Sequence, residues 1–374
     1  MSTPPVRRTW SREAEFESSN RGRERWTYRS AGREASFEVE CRYGKTIDLA
    51  AIKRRLTFPD ELAFTRKIRD FFDGLGDFVA TNACPVCATS AEHAVREVVV
   101  WGVDYVRCAG CSHAYARKRP SDQALADLYS TNAISNDYYM QPEEVSLRIR
   151  EIYGPKVEWI AQTFESIHGR PPATLLELGA GTGHLLATAR ERGMDVHGLE
   201  PDRTYRDFCR RTFDLELFSS AEELRERGRT SYDVVCSFNV LEHVTAPGTF
   251  LDLYRDLTGR ESLWVIETPR YNSLTIALQK LYPERIRGYL VPYEHVQLFS
   301  DASLATLLVE KGARPSHVWY FGQDAMELIF QVTAELDVAP GTSLAGRFND
   351  LQSVFDRGRL SDLMLFAAVP LPQG

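Results

Sequence analysis

Three observations predict an α/β fold for this chain. Residues 174–178 form an apolar, strand-like stretch that leads into three alternate glycines and then a helix-like segment. Further strand-like apolar stretches follow at 195–199, 232–238 and 262–269. Two closely spaced cysteine pairs, within residues 84–111, precede this region and predict a separate small module. The sequence therefore indicates an α/β domain with smaller additions before it.

The glycine loop after the first of these strands suits a nucleoside cofactor. It has the order Glu177, Gly179, Ala180, Gly181 and Gly183, which is the pattern Glu-x-Gly-x-Gly-x-Gly. Glycines there can adopt backbone angles forbidden to other residues and let a ligand approach the main chain at a helix start. The dinucleotide fingerprint has two residues before its third glycine, and a P-loop ends in Lys-Ser/Thr, so neither motif fits. The alternative is a glycine-rich turn in some other α/β protein.

The order of acid and glycines resembles the first motif of the class I S-adenosylmethionine-dependent methyltransferases. The resemblance extends to Glu200 and Pro201, about twenty residues after the loop, where a carboxylate can accept hydrogen bonds from both ribose hydroxyls. Residues 232–244 are similar to the family's fourth motif, and Asn239 would be a cofactor contact there. Over roughly residues 150–320, the resemblance implies a Rossmann-like, seven-stranded methyltransferase sheet that binds S-adenosylmethionine.

Composition and charge fit an ordinary enzyme. With 374 residues, 43% hydrophobic and 26% charged, the chain can form more than one core. The formal net charge of −7 argues against a nucleic acid as the main partner, although a local basic patch is compatible with that sum. There is no apolar run of about eighteen residues and no signal-peptide pattern. The sequence therefore predicts no membrane partner and a cytoplasmic location.

Cys84, Cys87, Cys108 and Cys111 predict a structural zinc ribbon. In the spacing C-x2-C-x20-C-x2-C, each pair can form a tight turn whose amides point at the sulfurs, and four thiolates complete a tetrahedral zinc shell. His113 is interpreted as a surface residue or as a neighbour of the site. A ribbon that has lost its metal, or a redox pair, is the alternative.

The other segments have weaker signals. Residues 1–45 contain many arginines and glutamates with little apolar periodicity, and we expect a disordered extension. A helical insertion at 323–358 either covers the substrate pocket or forms the face of a homodimer. The expected divisions after the extension are a helical segment at 46–80, a zinc ribbon at 81–120, a helical linker and cap at 121–170, and the methyltransferase domain at 171–374.

Two Glu-His pairs are candidate catalytic groups. Methyl transfer to a carbon or hydroxyl requires the nucleophile to be aligned and deprotonated, and a histidine beside a carboxylate suits the second task. Glu242-His243 follows the fourth strand, at the carboxyl edge where open α/β sheets bind ligands. There His243 either takes part in catalysis or only hydrogen-bonds the motif loop. Glu294-His295 lies in a long insert after the fifth strand.

The second pair extends the resemblance. A four-cysteine ribbon, a methyltransferase core and a Tyr-Glu-His segment before Leu-Phe-Ser occur together in the deoxysugar C-methyltransferases, which act on nucleotide-linked keto sugars. The resemblance implies that His295 is the general base, Glu294 a substrate or orienting contact, and Tyr293 a sugar contact, with Tyr289 as the alternative tyrosine. Related methyltransferases that modify oxygen share the Glu-His-x-x-x-Phe-Ser pattern, so it does not fix the nucleophile.

Three functional classes remain open. The first is a methyltransferase acting on carbon or oxygen of a small molecule such as a nucleotide-linked sugar, favoured by the acidic charge and the Tyr-Glu-His segment. The second is an RNA base methyltransferase whose ribbon and N-terminal arginines recognise RNA. Against it, the ribbon has few basic residues: Arg107, Arg117, Lys118 and Arg119. The third is a non-catalytic interaction protein that retains the cofactor fold.

Overall fold

The computed structural model describes residues 4–18, 20–45, 58–130, 137–283, 288–335 and 347–371. Its strands are β1 (Arg8–Glu17), β2 (Arg21–Ser30), β3 (Arg33–Tyr43), β4 (Phe78–Ala80), β5 (Val95–Val100), β6 (Val103–Arg107), β7 (Ala114–Ala116), β8 (Lys118–Pro120), β9 (Thr174–Leu178), β10 (Asp195–Leu199), β11 (Tyr232–Phe238), β12 (Thr258–Pro269), β13 (Gln297–Leu298), β14 (Ala313–Phe321) and β15 (Leu363–Pro370). Its α-helices are α1 (Phe58–Leu75), α2 (Asp122–Ser130), α3 (Pro142–Arg148), α4 (Gly154–His168), α5 (His184–Glu191), α6 (Arg203–Phe213), α7 (Ala221–Glu226), α8 (Pro247–Asp256), α9 (Leu274–Leu281), α10 (Asp301–Glu310), α11 (Asp324–Glu335) and α12 (Phe348–Arg357).

A large mixed sheet forms the centre of the molecule. Its strand order is β1-β2-β3-β14-β15-β12-β11-β9-β10. Strands β10, β9, β11 and β12 are parallel neighbours, whereas β15 runs antiparallel to both β12 and β14. Helices α5 to α8 connect the parallel strands along the chain, so the carboxyl ends of β9 to β12 lie at one edge of the sheet. The predicted α/β class is confirmed, and this edge is where its ligands are expected.

The prediction of seven strands is wrong for two reasons. The N-terminal strands β1, β2 and β3 extend the sheet, because β3 pairs in parallel with β14. On the outer side of β10, where a further strand would lie, Phe218 forms an isolated β-bridge with Leu199 and no strand. The described part of the chain therefore has nine strands in this sheet.

The prediction that residues 1–45 are disordered is also wrong for the residues described there. In β2 and β3, Trp26 and Val39 are buried, whereas the charged residues that alternate with them lie on the outer face. These outer charges form cross-strand pairs, among them Arg23 with Glu40. The alternation has the two-residue period of a strand, and the abundance of arginine and glutamate concealed it in the sequence.

The two-residue strand β13 joins the cysteine module to the main domain. The second sheet has the order β13-β7-β6-β5, so the strands after the first cysteine pair are completed by a strand from the insert that carries His295. Helix α1 packs against this second sheet and the insert through Phe72, which is fully buried. Residues 46–57 of the expected helical segment lie outside the described residues.

Further helices lie in the chain segments between β8 and β9 and between β14 and β15. A single turn of π-helix, Ile149–Tyr153, lies between α3 and α4. Helices α11 and α12 belong to the predicted insertion, and the side chain of Asp324 ties them to α9 by accepting from the amide and hydroxyl of Thr275. Residues 336–346 of the insertion lie outside the described residues. None of the described helices combines the length and apolar character needed to span a lipid bilayer.

Candidate active site

The glycine loop leaves space for a ligand at one position. Gly179, Gly181 and Gly183 all have positive φ, at 78°, 52° and 68°. A Cβ at Gly179 would meet Val240 Cγ2 at 2.6 Å, and a Cβ at Gly183 would meet Cys209 Sγ at 2.7 Å. A Cβ at Gly181 would meet no protein atom within 4 Å. Packing therefore requires the outer two glycines, and the middle one faces open space.

Glu200 is held against this loop at the end of β10. One carboxylate oxygen accepts a hydrogen bond from the Gly181 amide at 2.7 Å, and the other accepts from the Asp202 amide at 2.9 Å. Burial raises the pKa of Glu200 to about 7. Pro201, the next residue, is exposed. The carboxylate is thus fixed beside the open space, where it can accept hydrogen bonds from vicinal hydroxyls of a ribose.

Several buried polar atoms around the loop have no hydrogen-bond partner among the described residues. Such atoms are rare in folded proteins and indicate a partner that is not part of the chain. Both acidic and basic groups are present, which suits a ligand with a carboxylate and an ammonium group, such as the methionyl part of S-adenosylmethionine. The atoms are Glu177 Oε2, Arg148 Nε, His184 Nε2 and Glu267 Oε2.

Charged groups from α4 and β12 complete this half of the site. Lys156 Nζ donates to Glu267 Oε1 at 2.7 Å, and Asn239 Nδ2 lies 3.2 Å from the same oxygen. Burial raises the pKa of Glu177 well above its usual value. Sequence reasoning missed Lys156 and Arg148. Their signal was a pair of charged residues within a segment predicted to be a packed helix. We call the loop, Glu200 and these charged groups the cofactor half of the site.

Two histidines from distant segments meet beyond the end of β11. The rings of His243 and His295 pack edge to face, with their centroids 4.8 Å apart. One potential ligand atom from each of Glu242, His243 and His295 lies within 4.8 Å of the others, so the three groups are close enough to share a proton or a cation. Burial lowers the pKa of His243, which keeps its imidazole neutral near pH 7. We call this cluster, with its supporting tyrosines, the acceptor half.

Backbone carbonyls and tyrosines orient the two rings. His295 Nδ1 lies 2.9 Å from the carbonyl oxygen of Tyr289, whose ring also stacks on the imidazole. A carbonyl oxygen only accepts, so Nδ1 carries the proton in the neutral ring and Nε2 is the basic nitrogen. His243 Nδ1 lies 2.8 Å from the hydroxyl of Tyr129 and 3.0 Å from the carbonyl oxygen of Glu294.

The two halves adjoin at the ends of β11 and β12. Glu242 is buried, and its Oε2 accepts a hydrogen bond from Thr268 Oγ1 at 3.1 Å. Thr268 directly follows Glu267, which belongs to the cofactor half. Burial raises the pKa of Glu242 to about 8. The charge of Glu267 also raises the pKa of Glu242, so these two carboxyl groups, one from each half, lie near each other.

Tyr293, expected to contact a sugar, has a different environment. Its ring packs among Phe72, Phe78 and Trp101, and its hydroxyl donates to Asp73 Oδ1 at 3.0 Å. This side chain thus joins α1 to the insert and is not part of the histidine cluster. The alternative tyrosine, Tyr289, is the one that stacks on His295. In the turn that contains them, the two tyrosines point to different sides.

The four cysteine sulfurs lie close together without disulfide bonds. Cys84 Sγ is 3.6 Å from Cys111 Sγ, and Cys87 Sγ is 3.5 Å from Cys108 Sγ. All four sulfurs lie within 4.8 Å of one another. Sulfurs bound tetrahedrally to zinc at about 2.3 Å lie about 3.8 Å apart, so the cluster has the size that zinc requires.

Both cysteine pairs form the same turn. The Ala88 amide donates to the Cys84 carbonyl oxygen, and the Ser112 amide donates to the Cys108 carbonyl oxygen. Ala88 and Ser112 both have positive φ, at 57° and 59°. In the second turn, the Gly110 amide also lies 3.2 Å from Cys108 Sγ. Amides aimed at sulfur stabilise thiolates, which is a property of metal-binding turns.

Comparison with known proteins agrees with this geometry. Residues 149–318 match a family model described as a methyltransferase domain. Over 137 residues the chain is 27% identical to a ubiquinone biosynthesis O-methyltransferase of Caulobacter sp. (strain K31). That match covers 34% of this chain and 54% of the relative, so the chain spans about half the relative's length. With its sheet and glycine loop, this part of the chain is a class I S-adenosylmethionine-dependent methyltransferase domain.

Similar solved structures include other methyltransferases. The magnesium protoporphyrin IX methyltransferase of Synechocystis PCC 6803, which has SAH bound, is 13% identical with a TM-score of 0.43; the alignment covers 67% of this chain and 100% of that chain. A SAM-dependent methyltransferase of Archaeoglobus fulgidus is 19% identical with a TM-score of 0.39, covering 62% of this chain and 100% of that chain.

Proposed function

We propose that the protein transfers a methyl group from S-adenosylmethionine to a carbon or oxygen atom of a small molecule, with His295 as general base. The observation that carries this proposal is the position of His295, whose Nδ1 faces a carbonyl oxygen in a cluster that adjoins the cofactor half. His295 Nε2 takes the proton from the acceptor's hydroxyl, or from its carbon beside a ketone. Glu242 is buried beside it, and the partly buried His243 packs its ring edge to face against that of His295.

The residues of the cofactor half suit S-adenosylmethionine. Glu200 would accept hydrogen bonds from the ribose hydroxyls, and Glu177 and Arg148 would meet the ammonium and carboxylate of the methionyl part. Asn239 and Lys156 hold Glu267 in place between the two halves. When bound, the cofactor supplies a methyl group already activated by its positive sulfur, so the chain needs mainly to align and deprotonate the acceptor.

The acceptor class that we propose first is a nucleotide-linked keto sugar. Its support is the Tyr-Glu-His segment at 293–295, in which the Glu294 carbonyl oxygen lies against His243, together with Tyr289, whose ring stacks on His295. The similarity to a ubiquinone biosynthesis O-methyltransferase supports oxygen as the methylated atom instead. Phenolic hydroxyls are therefore the second set of acceptors to test.

An RNA acceptor has less support, because many basic residues near the ribbon and in the N-terminal sheet are already paired. Arg107 pairs with Glu97, and Arg119 pairs with Asp122. The N-terminal arginines are engaged in the same way: Arg12 with Asp301, Arg23 with Glu40, Arg25 with Glu38 and Arg29 with Glu34. Phosphate binding requires unneutralised cations arranged along a surface.

We further propose that the four cysteines hold one structural zinc ion. Metal analysis of the purified full-length protein should give about one zinc per chain. Replacement of Cys108 by serine should remove the metal. A wild-type protein that contains no zinc, or a Cys108→Ser variant that keeps the wild-type amount of zinc, would contradict the zinc assignment.

A methyl-transfer assay tests the catalytic proposal. The full-length protein is incubated with labelled S-adenosylmethionine and, in parallel, nucleotide-linked keto sugars, phenols and total RNA. We expect label in the small-molecule pools and a loss of about 10²- to 10⁴-fold in turnover for His295→Ala, with unchanged cofactor affinity by calorimetry. His93→Ala, in the ribbon and outside the cluster, is the matched control and should keep full turnover. Full activity of His295→Ala would remove that residue from the mechanism.

A further inference from the structure

The cysteine ribbon holds the main chain at His295 and directly after it. Strand β7 pairs with β13, which begins two residues after His295, and the Ala116 amide donates to the Val296 carbonyl oxygen at 3.1 Å. The hydroxyl of Tyr105, in β6, donates to the carbonyl oxygen of His295 itself at 2.7 Å. Tyr105 is fully buried, so water does not compete for this hydrogen bond.

A buried pair of side chains links the ribbon to the other histidine. Gln297 donates its amide group to the carbonyl oxygens of Val244 and Thr245, which directly follow His243. Those carbonyls only accept, so the amide oxygen of Gln297 must face the other way, toward His113 Nε2 at 2.6 Å. His113 therefore carries its proton on Nε2 and donates it to Gln297.

The cysteine turns fix the position of His113. The Cys108 amide donates to the His113 carbonyl oxygen at 2.8 Å, which closes the turn that carries the second cysteine pair. His113 is fully buried, and its ring stacks on Tyr115 and lies against Phe299. The expectation that it lies at the surface is thus wrong, while a position next to the metal site is correct. One continuous path leads from Cys108 through His113 and Gln297 to both histidine segments.

We propose that the ribbon is a positioning element of the acceptor half, in which His113, Gln297 and Tyr105 set the distance between His243 and His295. These three are positioning residues, because they act through the segments that carry the histidines. The inference rests on the proposed role of His295 as the base. It implies that metal loss disables the acceptor half and spares the cofactor half, where the described contacts come from other segments.

The first experiment replaces Gln297 by methionine, which keeps the length of the side chain and removes its hydrogen bonds. We expect turnover to fall by about 10- to 100-fold, the usual effect of losing a partner that orients a functional side chain. The affinity for S-adenosylmethionine and the metal content should not change. Gln352→Met is the matched control, because Gln352 is also buried and hydrogen-bonded but lies in α12, where it bonds Ala325 of α11 and Asp356 of its own helix. It should lower thermal stability and leave turnover unchanged. Wild-type turnover in Gln297→Met would overturn the proposal.

The second experiment needs no turnover, so it separates this inference from the proposed function. A chelator removes the metal from the full-length protein, and hydrogen–deuterium exchange is measured by mass spectrometry. We expect faster exchange at 241–245 and 289–299, unchanged exchange at 174–184, and unchanged cofactor affinity by calorimetry. Faster exchange confined to the ribbon at 81–120 would overturn the proposal even if methyl transfer by the intact protein is established.

Discussion

The two halves of the active site are built in different ways. The three glycines and Glu200 of the cofactor half lie within 25 residues of one another in the chain, on two consecutive strands, β9 and β10. The acceptor half takes Tyr129 from α2, His243 from the turn after β11, and His295 from an insert that the ribbon holds. Local sequence therefore determines the loop and the carboxylate of the first half, whereas the packing of separate modules determines the second. It follows that each half can be disabled without the other.

The largest expected effect is a loss of cofactor affinity that leaves the acceptor half intact. In Gly181→Val, a branched side chain occupies the open space beside the loop, where a Cβ meets no protein atom within 4 Å. Forced overlap with a ligand costs up to about 3 kcal/mol, which corresponds to about 100-fold weaker binding at about 1.4 kcal/mol per tenfold. We expect calorimetry to show this loss for S-adenosylmethionine, while exchange protection of residues 289–299 is unchanged.

Backbone strain alone must be separated from this effect. Gly169 has φ of 70°, ends α4, and also has no protein atom within 4 Å of an added Cβ. Gly169→Val therefore introduces the same kind of left-handed strain, about 1–2 kcal/mol, away from the loop. It should lower thermal stability with normal cofactor affinity. Equal affinity in both variants would mean that the loop does not contact the cofactor.

The same contrast explains what the sequence could predict. Strands β9 to β12 were predicted because each contains a largely apolar stretch, as buried parallel strands require. Arg148 and Lys156 were not predicted, because their role depends on how α3 and α4 cross the ends of the sheet. Tyr293 and Tyr289 could not be told apart, because a turn decides which side each one faces. In the N-terminal strands, apolar and charged residues alternate with the two-residue period of a strand. The many arginines and glutamates of this segment also give it the composition of a disordered chain, which hid the alternation.

The next largest effect is a pH dependence of cofactor binding that the acceptor half should not share. Burial raises the pKa of Glu200 to about 7, so the carboxyl gains a proton as the pH falls through neutrality. Only the carboxylate accepts hydrogen bonds from both ribose hydroxyls, so the cofactor should favour the deprotonated form. The dissociation constant for S-adenosylmethionine should then rise by about tenfold between pH 8 and pH 6, because one pKa unit corresponds to about 1.36 kcal/mol. Burial lowers the pKa of His184 to about 3, which lies outside this pH range.

Glu200→Gln supplies the control for this pH dependence. An amide has no proton to gain in this range, so its affinity should be weaker than that of the wild type and should lack the part of the pH dependence that Glu200 contributes. A wild-type dissociation constant that does not change between pH 6 and pH 8 would show that Glu200 is ionised throughout or does not contact the cofactor.

The smallest expected effect distinguishes Tyr289 from Tyr293, which lie six and two residues before His295. Tyr289 stacks on His295, and its hydroxyl lies 3.4 Å from Asp362 Oδ2, whereas the Tyr293 hydroxyl is bonded to Asp73. Tyr289→Phe keeps the stacking and loses only the hydroxyl, so we expect a decrease of a few-fold in kcat/KM, as for one neutral hydrogen bond of about 0.5–1.5 kcal/mol. Tyr293→Phe should keep kcat/KM and lose a similar amount of unfolding free energy by denaturant titration, because its bond joins α1 to the insert. The reverse result, with Tyr293→Phe impaired in turnover, would mean that the tyrosine preceding Glu294 contacts the acceptor, and that the insert rearranges when the acceptor binds.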